Sequence, residues 1–121
     1  MDKQVGGVLY TAEFANCDSR EMAHADEYFM SALKVAYANV IPGTDIFHRF
    51  PNGALSGSAL LQESHAAIHT WPEGNFVTFE FFTCGDSNVG EAIRYLAEKF
   101  KCIKYGTNRH SRFPQNANIP R

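Results

Sequence analysis

The chain is 121 residues long, 45% hydrophobic and 20% charged, which fits a single globular domain burying about two-thirds of its unfolded surface. Its net charge of −2 argues against a nucleic-acid footprint, which would need a basic face. No apolar run approaches the ~18 residues of a membrane span, and the N-terminus carries no signal-peptide pattern.

Three cysteines, Cys17, Cys84 and Cys102, lack CxxC spacing and leave one over, the usage expected of a reduced, cytoplasmic protein. Val5 to Phe14 is rich in β-branched and aromatic residues and reads as a first strand. Asp18 or Ser19 caps a helix expected to run to about Asn39. Met22, Ala25, Phe29, Leu33, Ala36 and Val40 form its buried stripe, and Pro42-Gly43 stops it. Asp45 to Phe50 is a short strand, followed by a hairpin turn at Pro51-Asn52-Gly53. Leu55 to Gln62 and His65 to Trp71 are strand-like, and Pro72-Glu73-Gly74-Asn75 turns the chain again.

Phe76 to Cys84 is the clearest strand. Val77, Phe79 and Phe81 point one way; Phe76, Thr78, Glu80, Phe82 and Cys84 point the other. Ser87 or Asn88 caps a second helix striped by Val89, Ala92, Ile93, Leu96, Ala97 and Phe100. Cys102 to Thr107 is the last strand, and residues 108–121, polar and without periodicity, read as a flexible tail. This order predicts an α+β domain, an antiparallel sheet with helices on one face. Aromatic rings on both faces of the clearest strand leave one face without cover in so small a domain. A homodimer packed sheet to sheet, an αββα sandwich, supplies it.

The chemistry concentrates in Glu63-Ser64-His65-Ala66-Ala67-Ile68-His69-Thr70-Trp71-Pro72-Glu73 and in Cys84 on the neighbouring strand. Singly, each residue has an ordinary reading: a strand serine, structural histidines, a buried thiol, a solvated turn glutamate. His65 and His69 would pair on a metal only on a helix; on a strand they stand about 13 Å apart. No HExxH or cysteine pair accompanies them, so no metal is expected. Ser64 also lacks the GxSxG elbow of a hydrolase. Cys17 and Cys102 read as structural.

Together these residues resemble the small prokaryotic S-adenosylmethionine decarboxylase proenzymes. The match runs without gaps from Phe47-His48-Arg49-Phe50 through Ser56-Gly57 and ESHAAIHTWPE to Phe82-Thr83-Cys84-Gly85. It weakens outside that stretch: Gly7-Val8-Leu9 replaces the family's glycine, basic residue and histidine.

The resemblance implies that the Glu63–Ser64 bond breaks, giving chains 1–63 and 64–121, with Ser64 becoming a pyruvoyl group. In this scheme the serine hydroxyl attacks the Glu63 carbonyl, and β-elimination and hydrolysis follow. His69 is the implied base, with Ser56 supporting the oxyanion or ester step. The pyruvoyl ketone forms a Schiff base with the substrate amine and takes up electrons as carbon dioxide leaves. Cys84 is the implied proton donor, suited by a thiol pKa of about 8.5. Phe50 is expected to stack on adenine, Glu73 to accept from the ribose hydroxyls, and His65 to line the site. The resemblance thus implies a decarboxylase of S-adenosylmethionine serving spermidine synthesis. The departures in the first strand leave self-processing untouched but keep open L-ornithine or L-arginine as substrate; an uncleaved regulatory homologue is a separate alternative of a different class.

Overall fold

The computed structural model of the chain describes residues 5–121. It is an α+β domain with one six-stranded sheet, every neighbouring pair antiparallel. The strands are β1 (Gly7–Ala15), β2 (Ile46–Arg49), β3 (Leu55–Leu61), β4 (Ser64–Trp71), β5 (Phe76–Thr83) and β6 (Lys104–Arg112). Their order across the sheet is β2-β3-β4-β5-β1-β6. Consecutive β2 to β5 form a meander of tight turns, and β1 then pairs with β5 from the far side.

The two helices, α1 (Ala25–Val35) and α2 (Val89–Lys99), contribute to the core with one sheet face. Strand alternation supplies that face: Ala12 and Phe14, Ala66 and Ile68, and Val77, Phe79 and Phe81 are buried with Phe29, Leu33, Ile93 and Leu96 from the helices. Phe29 holds the layers together through edge-on contacts with Phe47 at 5.9 Å and Phe79 at 6.1 Å. Gly57 permits the β2–β3 pairing, because a Cβ there would lie 2.4 Å from the Phe47 ring. The opposite sheet face is open, and Ile46, Leu60 and Trp71 on it are 67%, 52% and 42% exposed.

The first helix differs from expectation at both ends. Ser19–His24 is a 3-10 segment, with Asp18 accepting from the Arg20 N–H as its cap; the α-helix begins only at Ala25. It stops well before Pro42. Tyr37 enters the left-handed region at φ 58°, and the Ala38 and Tyr37 N–H groups donate to Leu33 and Lys34 carbonyls. That is a Schellman closure made without the usual glycine. Lys101, at φ 52°, ends α2 the same way, with Cys102 donating to Ala97. Asn88 occupies the N-cap of α2 without a side-chain cap bond.

The chain after Asn108 also corrects the expectation of a loose tail. Asn108 to Arg112 continue β6, opposite Thr11 to Gly7. This edge strand needs only one hydrogen-bonded neighbour, so its polar residues all stay exposed and leave no apolar alternation to read. Arg109 instead lies over its cross-strand partner Tyr10, 5.3 Å from the ring centre.

Candidate active site

The sequence-derived residues fall into two clusters at opposite ends of β4. The first surrounds the β3–β4 turn. The Glu63 carbonyl, the acyl half of the Glu63–Ser64 bond, accepts from the Cys84 N–H at 3.0 Å and from the Cys84 thiol at 3.2 Å. Two donors on one carbonyl oxygen polarise it and are placed to hold a tetrahedral oxyanion. Ser64 has φ 152°, in territory that essentially only glycine occupies freely, at a cost of about 1–3 kcal/mol. The strain sits on the bond whose carbonyl is polarised.

Neighbouring side chains hold this arrangement. The buried Thr83 hydroxyl accepts from the Gly85 N–H at 3.0 Å and so fixes the turn carrying Cys84. Gly85 leaves room for Glu63, whose Cγ would lie 3.3 Å from a Cβ there. The Glu63 carboxylate accepts from the Asn39 N–H at 3.1 Å and the Asn39 side-chain amide at 2.7 Å. Burial pushes the Glu63 pKa up, but the Asn39 hydrogen bonds outweigh it and hold the group below its ordinary value. Thr83 and Asn39 were not singled out from sequence; Thr83 lies within the FTCG run, whereas Asn39 carries no motif signal.

The second cluster lies at the far end of β4. Ser56 Oγ and His69 Nδ1 share a hydrogen bond of 2.9 Å across the directly paired strands β3 and β4. They line a cleft of about 520 Å³ with Phe50, Asn52, Trp71 and Glu73. Glu73 accepts from the Asn52 side chain at 2.7 Å, while Asn52 also accepts from the Ala54 N–H at 3.0 Å. The turn therefore aims the carboxylate. Phe50 is braced edge-on by His48 at 4.5 Å and remains exposed enough to stack on a flat ligand.

One protomer does not join the clusters. His69 lies five residues beyond Ser64 on β4, about 17 Å at strand spacing. It also faces the open side with His65 and Trp71, whereas Ser64 alternates with buried Ala66, Ile68 and Thr70. His65 belongs to neither cluster. It stacks on Phe82 at 5.8 Å and lines a separate hollow with Leu9, Glu80 and Arg112.

The fold and the grouped serine, thiol and carboxylates define a class before any relative is considered: an α+β protein with a strained, polarised peptide bond at the start of a strand. The sequence model of the family described as S-adenosylmethionine decarboxylase matches residues 9–113, and the chain belongs to that family. A proenzyme named S-adenosylmethionine decarboxylase from Acidithiobacillus ferrooxidans is 40% identical over 96 residues, covering 78% of this chain and 72% of that protein. One of the same name from Thermococcus kodakarensis is 34% identical over 99 residues, covering 78% and 68%. The solved structure titled adenosylmethionine decarboxylase from Aquifex aeolicus superposes with a TM-score of 0.80 over 98% of this chain and 99% of that one. At 24% identity it supports the fold alone.

Proposed function

We propose that this chain is a self-processing decarboxylase of S-adenosylmethionine, a reading that its family and named relatives favour over ornithine, arginine or a purely regulatory role. The observation that carries the processing step is the doubly donated Glu63 carbonyl next to strained Ser64.

In the proposed cleavage, Ser64 Oγ attacks the Glu63 carbonyl carbon, and the oxyanion develops between the Cys84 N–H and thiol. Collapse breaks the C–N bond and leaves Glu63 esterified to the serine oxygen. A base takes the Ser64 α-proton, the Glu63 carboxylate departs, and the remaining dehydroalanine takes up water and loses ammonia. The products are residues 1–63 with a new carboxyl terminus and residues 64–121 headed by a pyruvoyl group. Such a group supplies an electron sink for a substrate amine next to the carboxylate that leaves. The residues around it divide the remaining work. Phe50 presents a ring to the adenine, Glu73 accepts from ribose hydroxyls, and the Cys84 thiol gives a proton to carbon. His65, on the open face, lines the approach.

The distance between clusters supports a homodimer as the working unit. The open sheet face is apolar enough to need cover, and Ala67 and Ser58, cross-strand neighbours on it, let a second sheet approach closely. A two-fold axis lying between the two sheets, over Ala67 of β4 and perpendicular to the strands, reverses strand direction. It lays the partner's second cluster over the Ser64 end, so that Ser56 and His69 serve Ser64 in trans. No helix among the described residues is long and apolar enough to cross a membrane. Three free thiols support a reducing, cytoplasmic setting. Spermidine synthesis is the proposed destination of the product.

The test is release of labelled carbon dioxide from carboxyl-labelled S-adenosylmethionine by matured protein, with Ser64→Ala as control. Release that Ser64→Ala abolishes is expected. Release from ornithine or arginine alone would overturn the substrate assignment.

A further inference from the structure

The segment between α1 and β2 makes an unusual set of contacts with the β3–β4 turn. Val40 bridges to Leu61, the Ile41 N–H donates to the Leu60 carbonyl at 2.9 Å, and the Gln62 N–H donates to the Asn39 carbonyl at 2.8 Å. Asn39 then adds two donors, its own N–H and its side-chain amide, to the two Glu63 carboxylate oxygens. One residue thus grips both positions that precede Ser64, through a backbone acceptor, a backbone donor and a side-chain donor.

This grip has a direct mechanical consequence. Glu63 is held at one side by Asn39 through its carboxylate and at the other by Cys84 through its carbonyl. Ser64 continues directly into β4, paired with Leu61 and Thr83. With both flanks fixed, the turn cannot rotate to relax the φ of 152° at Ser64. Release of the carboxylate would free the Glu63 backbone to swing its carbonyl off the Cys84 donors. Hydrogen bonds to an ionised carboxylate are among the stronger ones available for such anchoring.

We propose that Asn39 is a positioning residue for self-cleavage, clamping the Glu63 carboxylate so that the scissile carbonyl stays on Cys84 and Ser64 stays strained. The assignment rests on the self-processing reading above. It touches no reacting atom and acts only through Glu63.

The experiment is a double-mutant cycle on the cleavage rate, followed by intact mass on freshly folded full-length protein. Asn39→Asp sets a carboxylate against a carboxylate and should slow cleavage by about tenfold to a hundredfold, on the scale of one lost charge-assisted bond. Glu63→Gln removes the charge but keeps a neutral contact, because the Asn39 amide can turn so that its oxygen accepts from the Gln amide; it should slow cleavage less than Asn39→Asp does. Combining Asn39→Asp with Glu63→Gln exchanges donor and acceptor, since the Gln amide now donates to the Asp carboxylate, while the residue-39 N–H still reaches the Gln oxygen. The double variant should cleave at least about tenfold faster than the product of the two single effects allows. Far-ultraviolet circular dichroism confirms the fold of each variant, and a misfolded single variant that the double variant restores to both fold and cleavage counts as coupling. Strictly additive effects, or an Asn39→Asp rate equal to the native rate, would overturn the clamp. Failure of the native chain to cleave would instead overturn the processing reading, so the two failures are distinguishable.

Discussion

Co-expression of Ser64→Ala and His69→Ala chains, distinguished by different affinity tags, separates a site shared between protomers from one built within each. Five strand residues place His69 about 17 Å from Ser64 in the same chain, whereas proton transfer needs about 2.6–3.2 Å. Neither the turn nor the paired β4 backbone has slack to close that gap. In the proposed shared site, a Ser64→Ala chain expressed alone lacks the nucleophile and a His69→Ala dimer lacks the base, so both should stay intact. In a mixed dimer, Ser64 of the His69→Ala chain meets the intact His69 of its partner. Random assortment at equal expression places half of the His69→Ala chains in mixed dimers, so about half of them should be cleaved at completion. Intact mass of the two tagged populations reads this directly. Absence of cleaved His69→Ala chains in the mixture, with the native chain maturing normally, would refute the shared site.

Other consequences are independent of the partner. Cys84→Ala keeps the backbone donor to Glu63 but removes the thiol. Cleavage should slow by about tenfold, and decarboxylation of the matured protein by more; unchanged turnover would remove Cys84 from the proton-transfer step. Gly57→Ala drives a methyl into the Phe47 ring and should lower unfolding free energy by about 1–3 kcal/mol in urea titration. No loss would show that the ring moves aside freely. Native-state alkylation at about pH 8 should label exposed Cys84 before Cys17. Burial first, and then neighbouring Cys102, pushes the Cys17 pKa up to about 12, leaving it protonated and inert. Equal labelling of Cys17 would contradict its burial.

Much of this fold is legible in the sequence because its interior follows two simple periods. β5 alternates Val77, Phe79 and Phe81 inward, and α2 repeats Val89, Ala92, Ile93, Leu96 and Ala97 every three or four residues. What escapes such reading has physical causes. Tyr37 and Lys101 end helices in a conformation normally signalled by glycine or asparagine, so the stop at α1 carries no residue-type mark. β6 lies at the sheet edge with every side chain exposed, and beyond Thr107 nothing in its polar run selects strand over coil except pairing with β1. The candidate site is legible as residue types, not as geometry. Ser56 with His69, and Glu63 with Cys84, do meet. The long interval between these pairs follows from strand spacing along β4, and the roles of Asn39, Asn52 and Thr83 depend on loops that approach only after folding.

Cleavage between Glu63 and Ser64 is the step on which every later one depends, and the intact mass of purified, matured native protein tests it most directly. Two chains should appear, one ending at Glu63 and the other bearing at its head a ketone that hydrazine traps, while Ser64→Ala remains a single untrapped chain. A native protein that stays whole after prolonged incubation in its folded state, with no carbonyl to trap, would contradict it.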